Sequence, residues 1–302
     1  MFINNKINAV SFGEVLFDVF GDEKKIGGAP LNLALRTASY GFPVAMISAV
    51  GNDEDGKIIC DYIRENQLDT GGIITTSDYE TGIVQVSLNE RGSATYEIKF
   101  PSAWDFIEAN DTIADIVKKA DVFFYGSLAC RHEISRKTLF GLLESNGKMF
   151  KVFDVNLRKP FYNIELLEQL MTKADFIKFN DEELLEIASG LGFSSDHLEE
   201  NIRFISEKTD TSSICVTLGK HGSILLWNGA IYKHEGYPVK VADTVGAGDS
   251  FLASLIAKLL SDKNPDAALD FASAVGALVA SHSGANPRIT PSEIDVFMKQ
   301  NV

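Results

Sequence analysis

Asp243-Thr244-Val245-Gly246-Ala247-Gly248-Asp249-Ser250-Phe251 is followed without a break by the apolar run Leu252 to Leu260. Phe251, Leu255 and Leu259 fall at i, i+4 and i+8, one face of a helix. The run before it, Tyr237 to Ala242, reads as extended, so the glycines stand at a helix start. Gly246 and Gly248 can take backbone angles closed to other residues and let a ligand approach the main chain, while the first helical N–H groups have no partner inside the helix. Such a turn is a ready anion hole. Asp249 adds a carboxylate in the first turn, where it would repel a bound phosphate, and that placement suits a proton acceptor. A structural explanation also stands, because the helix dipole favours an acid there and glycines mark ordinary loops. The string is no Rossmann fingerprint, since Phe251 occupies the position of the third glycine in G-x-G-x-x-G.

Towards the N-terminus, Ile7 to Phe12 reads as a strand ending at Gly13-Glu14, and Val15 to Phe20 as a second apolar run with Asp18 in its middle. An acid there is either turned to solvent at a strand edge or held for a ligand. Gly27-Gly28-Ala29-Pro30 precedes Leu31 to Arg36, and Pro near a helix start spends no needed N–H, which puts Asn32 in the first turns. The glycine pair is a tight strand-to-helix loop, or it lets a polyol approach the backbone while Asp18 and Asn32 bond its hydroxyls. Val44 to Val50 reads as a strand, and Lys57 to Asn66 as a helix after the acidic Asn52-Asp53-Glu54-Asp55. Beyond Gly71-Gly72, Ile83 to Leu88 and Ala94 to Phe100 alternate apolar and polar around Asn89-Glu90-Arg91-Gly92, a hairpin pattern.

From Val122 to Leu218 strands alternate with helices, the pattern of a parallel sheet covered on both faces. Ligands of such sheets bind beyond the C-terminal strand ends. Three motifs fall there. Asp154-Val155-Asn156-Leu157-Arg158 offers a guanidinium whose planar fork can clamp phosphate, or a surface arginine in a polar turn. Asn180-Asp181-Glu182-Glu183 has the spacing of an N-cap with its capping-box glutamate. Thr217-Leu218-Gly219-Lys220-His221-Gly222 joins two apolar strands as a Gly-bounded turn. Near the end, Asp266 to Ser281 is an Ala-rich helix, fit for close packing on another helix or on an adenine ring, and Gly284-Ala285-Asn286-Pro287 follows it.

The chain has 302 residues, 45% of them hydrophobic, ample for a buried core, and a formal charge of −14. That charge argues against a nucleic-acid or anionic-membrane partner. The start lacks a basic region with a long apolar core, and no uncharged apolar run approaches the ~20 residues needed to span a bilayer, so a cytoplasmic location is expected. Cys60, Cys130 and Cys215 are scattered, and the histidines show no i, i+4 pair, so neither a disulfide framework nor a zinc site is supported. The P-loop string G-x-x-x-x-G-K-[ST] is missing, so any phosphate must be cradled by the helix start at Gly246.

Asp-Thr-x-Gly-Ala-Gly-Asp-Ser-Phe at 243–251 closely resembles the C-terminal signature of the ribokinase-like (PfkB) carbohydrate kinases. The N-terminal pattern Gly-Glu-x-Leu-x-Asp, then Gly-Gly-Ala-Pro-x-Asn, resembles the fructokinase branch of that family, and the likeness runs in order from Gly13 to about Pro287. The resemblance implies an α/β ribokinase-like fold: a central, mainly parallel sheet with helices on both faces and a small β-sheet lid. It implies one domain over 1–302, with lid strands inserted at about 14–26 and 72–102. The implied reaction is ATP-dependent phosphorylation of a sugar, fructose to fructose 6-phosphate, with a 2-keto-3-deoxygluconate kinase as runner-up and a non-catalytic sugar or nucleotide sensor as the reading of another class. Carried over by position, Asp249 is the base, helped by Gly246, Ala247, Gly248 and Arg158, and Asp18, Gly27, Gly28 and Asn32 line the sugar pocket. Asn180, Thr217, Gly219, Gly222, Gly246, Gly248 and Asn286 lie on the nucleotide side. Glu183 serves Mg²⁺ through water, Asp243 and Val245 a K⁺ ion, and the family's lid contacts imply a homodimer.

Overall fold

The computed structural model describes residues 7–88 and 94–300, which form two compact units: Ile7–Ala38 with Phe42–Met149, and Ser39–Gly41 with Phe150–Val302. The expected hairpin turn at Asn89 to Gly92 and the first six residues lie outside the described set.

The first unit contains β1 (Ala9–Phe12), β2 (Leu16–Phe20), β3 (Glu23–Gly27), β4 (Val44–Gly51), β5 (Ile73–Thr76), β6 (Gly82–Leu88), β7 (Ala94–Ile98) and β8 (Val122–Gly126). Its helices are α1 (Ala29–Ser39), α2 (Glu54–Glu65), α3 (Asp111–Lys118) and α4 (Glu133–Ser145). Strands β8-β1-β4-β5 run side by side and parallel. Every residue of β1 and β4 is buried, as continuous apolar strands are when both faces of a parallel sheet are covered.

A second, smaller sheet has the order β3-β2-β6-β7, with β2 parallel to β6 and the outer pairs antiparallel. Leu16, Val84 and Val86 bury one of its faces, with Ile98 packed against them. Because β2 has neighbours on both sides, Asp18 does not stand on a sheet edge. After β7 the chain is anchored by Arg131, whose Nε and Nη2 donate to the Asp105 carboxylate at 2.6 and 2.7 Å while the guanidinium lies 3.9 Å over the Trp104 ring.

The acids before α2 are not merely solvated. Asp53 caps the helix by accepting from the Gly56 N–H, and it also accepts from the backbone and hydroxyl of Thr81. Burial works against its charge, but these hydrogen bonds outweigh it and hold the carboxyl below the usual aspartate value.

The second unit contains β9 (Phe150–Asp154), β10 (Phe176–Asn180), β11 (Ser213–Thr217), β12 (Ser223–Trp227) and β13 (Ala230–His234). Its helices are α5 (Ile164–Met171), α6 (Asp181–Gly190), α7 (Leu198–Thr209), α8 (Ala247–Asp262), α9 (Pro265–Ala280) and α10 (Pro291–Gln300). Strands β9-β10-β11 are parallel, and β12 and β13 continue the sheet antiparallel. Helix α8 is more deeply set than its i, i+4 face indicates: all residues from Ser250 to Ala257 are buried. Its close partner is α9, where a side-chain carbon at Gly276 would lie 3.4 Å from Cβ of Phe251, so the small residues of α9 serve packing on a helix.

Two features depart from the sequence reading. Tyr237 to Ala242 belongs to no strand, and the extended segment of this region is β13, a short run with no buried residue. Gly222 has a packing role. It takes φ +90°, and a side-chain carbon there would come within 1.8 Å of the carbonyl oxygen of His234 at the end of β13. Among the described residues no helix is long and apolar enough to cross a membrane.

Replacing Gly222 by Ala is predicted to lower the thermal midpoint by on the order of 5 °C, since strain of this kind costs a few kcal/mol. Gly219 also has a left-handed angle, φ +57°, but open space around it. Gly219→Ala should therefore cost only about 1 kcal/mol, and equal shifts for the two variants would contradict this packing account.

Candidate active site

The turn before α8 is built by its surroundings. Gly246 takes φ +75° as the N-cap, and a side-chain carbon there would lie 2.3 Å from the carbonyl oxygen of Ala285, so only glycine fits both the angle and the contact. Asp243 ties the turn down: its Oδ1 accepts from the Val245 N–H at 3.0 Å and its Oδ2 from the Gly284 N–H at 3.1 Å. The N–H groups of Ala242 and Asp243 donate to the carbonyl of Ala280, the last residue of α9. The first intrahelical bond of α8 is Ser250 N–H to Gly246 O at 2.9 Å, so the N–H of Gly248 has no acceptor within the helix. Asp249 is the third helical residue and is half-buried. Asn286 is half-buried on the loop that carries Gly284 and Ala285.

Beside this turn lie the ends of β9 and β10. Asn180 and Glu183 form the expected capping box at the start of α6: Asn180 Oδ1 accepts from the Glu183 N–H and Glu183 Oε2 from the Asn180 N–H, both at 2.8 Å. The other Glu183 oxygen accepts from the Leu157 N–H at 2.9 Å, so one buried carboxylate fixes both the start of α6 and the loop after β9. Arg158 on that loop is exposed, and its Nη1 donates to the Leu157 carbonyl at 3.0 Å. The Thr217 hydroxyl, at the end of β11, donates to the Phe179 carbonyl at 3.3 Å.

Sequence reasoning passed over Lys178 in the centre of β10. Its Nζ donates to Asp154 Oδ1 at 3.1 Å, and it lies 3.4 Å from where a side-chain carbon on Gly248 would be. Burial opposes its charge, but the carboxylates of Asp154, Glu183 and Asp249 outweigh that and hold its pKa above the ordinary lysine value. The signal was present in Phe176-Ile177-Lys178-Phe179, a charge inside an apolar strand, the same kind of oddity as Asp18.

The other predicted residues gather in the first unit. A side-chain carbon at Gly27 would lie 2.5 Å from Oδ2 of Asp18, so the glycine makes room for that carboxylate. Gly28 has φ +113° and packs its Cα on the Glu14 carbonyl, and the Asn32 N–H donates to the Gly28 carbonyl at 2.9 Å in the first turn of α1. Asn32 is buried. Asp18, Gly27, Gly28 and Asn32 are thus one group, and Lys178, Asn180, Glu183, the turn at 243–248 and Asp249 another.

Known proteins resemble this chain over nearly its whole length. Fructokinase-1 of Oryza sativa subsp. japonica is 29% identical over 95% of this chain and 96% of its own length. An uncharacterized sugar kinase from Pyrococcus horikoshii is 31% identical over 91% of this chain and 90% of its own, and its structure in complex with ATP superimposes with a TM-score of 0.80 over 93% of this chain and 95% of that one. The fructokinase of Vibrio cholerae O395, a mutant solved with fructose, ADP and a potassium ion, is 24% identical and has the same fold, with a TM-score of 0.83 over 97% and 98% of the two chains. The description of the pfkB family carbohydrate kinases matches residues 3–292. The chain therefore belongs to the pfkB family of carbohydrate kinases.

Proposed function

We propose that this protein is an ATP-dependent fructokinase that makes fructose 6-phosphate. The observation that carries the kinase chemistry is the half-buried Asp249 carboxylate in the first turn of α8, set directly after the anion-binding turn at Gly246 to Gly248. Asp249 accepts the proton of the attacking hydroxyl, and the amides of Gly246 to Gly248, that of Gly248 having no acceptor within the helix, hold charge on the transferred phosphoryl. Arg158 is exposed on a loop fixed by Glu183, free to swing its fork onto phosphate oxygens. Asn180, Thr217, Gly219, Gly222 and Asn286 stand on the nucleotide side, Gly222 being held in addition by its contact with β13.

The residues fit a magnesium ion that keeps most of its water and is held chiefly by nucleotide phosphates. Glu183 has both oxygens engaged by backbone N–H groups, yet each keeps a lone pair for a metal-bound water. Bound there, the ion supplies neutralising charge to the phosphates. Asp243 similarly spends one acceptor site per oxygen, on the N–H groups of Val245 and Gly284, which leaves room for a potassium ion together with the carbonyl of Val245.

For the sugar, Asp18 and buried Asn32 supply hydroxyl partners beside the Gly27-Gly28 backbone, and the curated fructokinase relative supports fructose. The small sheet acts as a cover for the sugar, excluding water, a competing acceptor. Exposed Phe20 and Tyr96, on one face of that sheet through the register Phe20–Val86–Tyr96, are the surface we assign to a homodimer. A cytoplasmic location completes the reading. One observation favours a second substrate: Lys25 is the cross-strand partner of Asp18, and a cation on that face is what the carboxylate of 2-keto-3-deoxygluconate would need.

Asp249→Asn should remove most turnover, by roughly 10²-fold or more, while sugar affinity by calorimetry stays within a few-fold. Retained activity would eliminate Asp249 as the base. In Asp18→Ala the sugar KM should rise far more than the ATP KM, and parallel rises would break the pocket assignment.

A further inference from the structure

The mechanism above gives Lys178 no task, although its position is unusual. It sits mid-strand in β10 with apolar neighbours and is 7% exposed. Its Nζ makes a single hydrogen bond among the described residues, to Asp154 Oδ1 at 3.1 Å, which leaves two N–H donors unspent. The other oxygen of Asp154 is buried and has no hydrogen-bond partner among the described residues. On its far side the ammonium stands against the first turn of α8, 3.4 Å from the position of a side-chain carbon on Gly248. Asp154 on β9, Glu183 on α6 and Asp249 on α8 are the carboxylates that act on it.

Two arguments set stability aside as the reason for this pair. A buried ion pair is seldom worth more than apolar side chains of similar volume, because both charges are stripped of water. A helix N-terminus is also the positive end of the dipole, so the backbone at the start of α8 repels an ammonium that the carboxylates of Asp154, Glu183 and Asp249 attract. Both penalties reverse in sign of usefulness once a polyanion occupies the turn. A phosphate at the α8 amides then meets a second positive charge in a buried place where salt screens it little. Gly248, lacking a side chain, leaves the approach between ammonium and turn open.

We infer that Lys178 is the buried countercharge of the phosphate cradle at the start of α8, aimed there by Asp154, and that the pair serves nucleotide phosphates and not stability. The inference rests on the kinase reading above. Lys178 acts on the cradle across Gly248, and Asp154 is a positioning residue.

The test is calorimetric binding of a non-hydrolysable ATP analogue with magnesium, and separately of adenosine, to the wild type, Lys178→Met, Lys178→Arg and the double variant Lys178→Met/Asp154→Leu, with thermal midpoints for each. Lys178→Met should bind the analogue roughly tenfold or more weakly, the scale of a lost charge-assisted contact, with adenosine affinity unchanged. Lys178→Arg should recover most of the loss. The double variant guards against a single variant that fails to fold: it should melt no lower than the wild type and still bind the analogue weakly. Equal weakening of analogue and adenosine, or full analogue affinity in the double variant, would overturn the inference. Wild-type protein that binds the analogue but phosphorylates no sugar would remove the kinase reading and leave the binding comparison to judge Lys178, whereas wild type that binds neither ligand overturns both.

Discussion

The first N–H groups of an α-helix cannot be satisfied by the helix itself, and in the second unit of this protein the chain around the start of α8 is fixed by contacts from outside that helix. The arrangement is costly to build. Gly246 must hold a left-handed angle with its Cα pressed on Ala285, and Asp243 must span from its own turn to Gly284. The carbonyl at the end of α9, an orphan by the same helix-end rule, is used to hold the incoming chain through Ala242 and Asp243. One helix end thereby positions another. The long α8–α9 contact, with Gly276 against Phe251, makes that positioning rigid.

Charge then decides what such an opening can do. The chain as a whole is strongly acidic, at −14, so affinity for a polyanion cannot come from a general field and must be local. Three carboxylates and one ammonium meet near the α8 turn, and their partners divide the labour. Glu183 is spent on backbone N–H groups that fix α6 and the Arg158 loop, Asp154 holds Lys178, and Asp249 stands in the first turn of α8.

Much of this was legible in the sequence because it is written in contiguous strings. Asp243 to Phe251 combines a turn and a helix start, and Gly27 to Asn32 and Asn180 to Glu183 each join a strand end to a helix start, so local rules of capping and glycine geometry suffice to read them. The alternation from Val122 to Leu218 likewise produced the parallel strands, and the β6–β7 hairpin came from its period of two. What was not legible depends on contacts between distant segments. Gly222 reads as a loop glycine until β13 is seen lying against it, and β13 itself has too few buried residues to be marked by periodicity. Asp53 looks solvated until Thr81, 28 residues on, supplies two donors. Lys178 stands out as a charge in an apolar strand, but no local rule says what it pairs with, and only its neighbours on β9, α6 and α8 explain its burial.

The measurement that bears most directly on the central claim is ADP release from MgATP across fructose, ribose, glucose, tagatose, 2-keto-3-deoxygluconate and fructose 6-phosphate, with and without potassium. The account predicts turnover highest on fructose and raised by potassium. Turnover highest on 2-keto-3-deoxygluconate would keep Asp249 and its cradle but contradict the fructose assignment, and folded, sugar-binding protein that releases no ADP on any of them would contradict the claim that this chain is a working kinase.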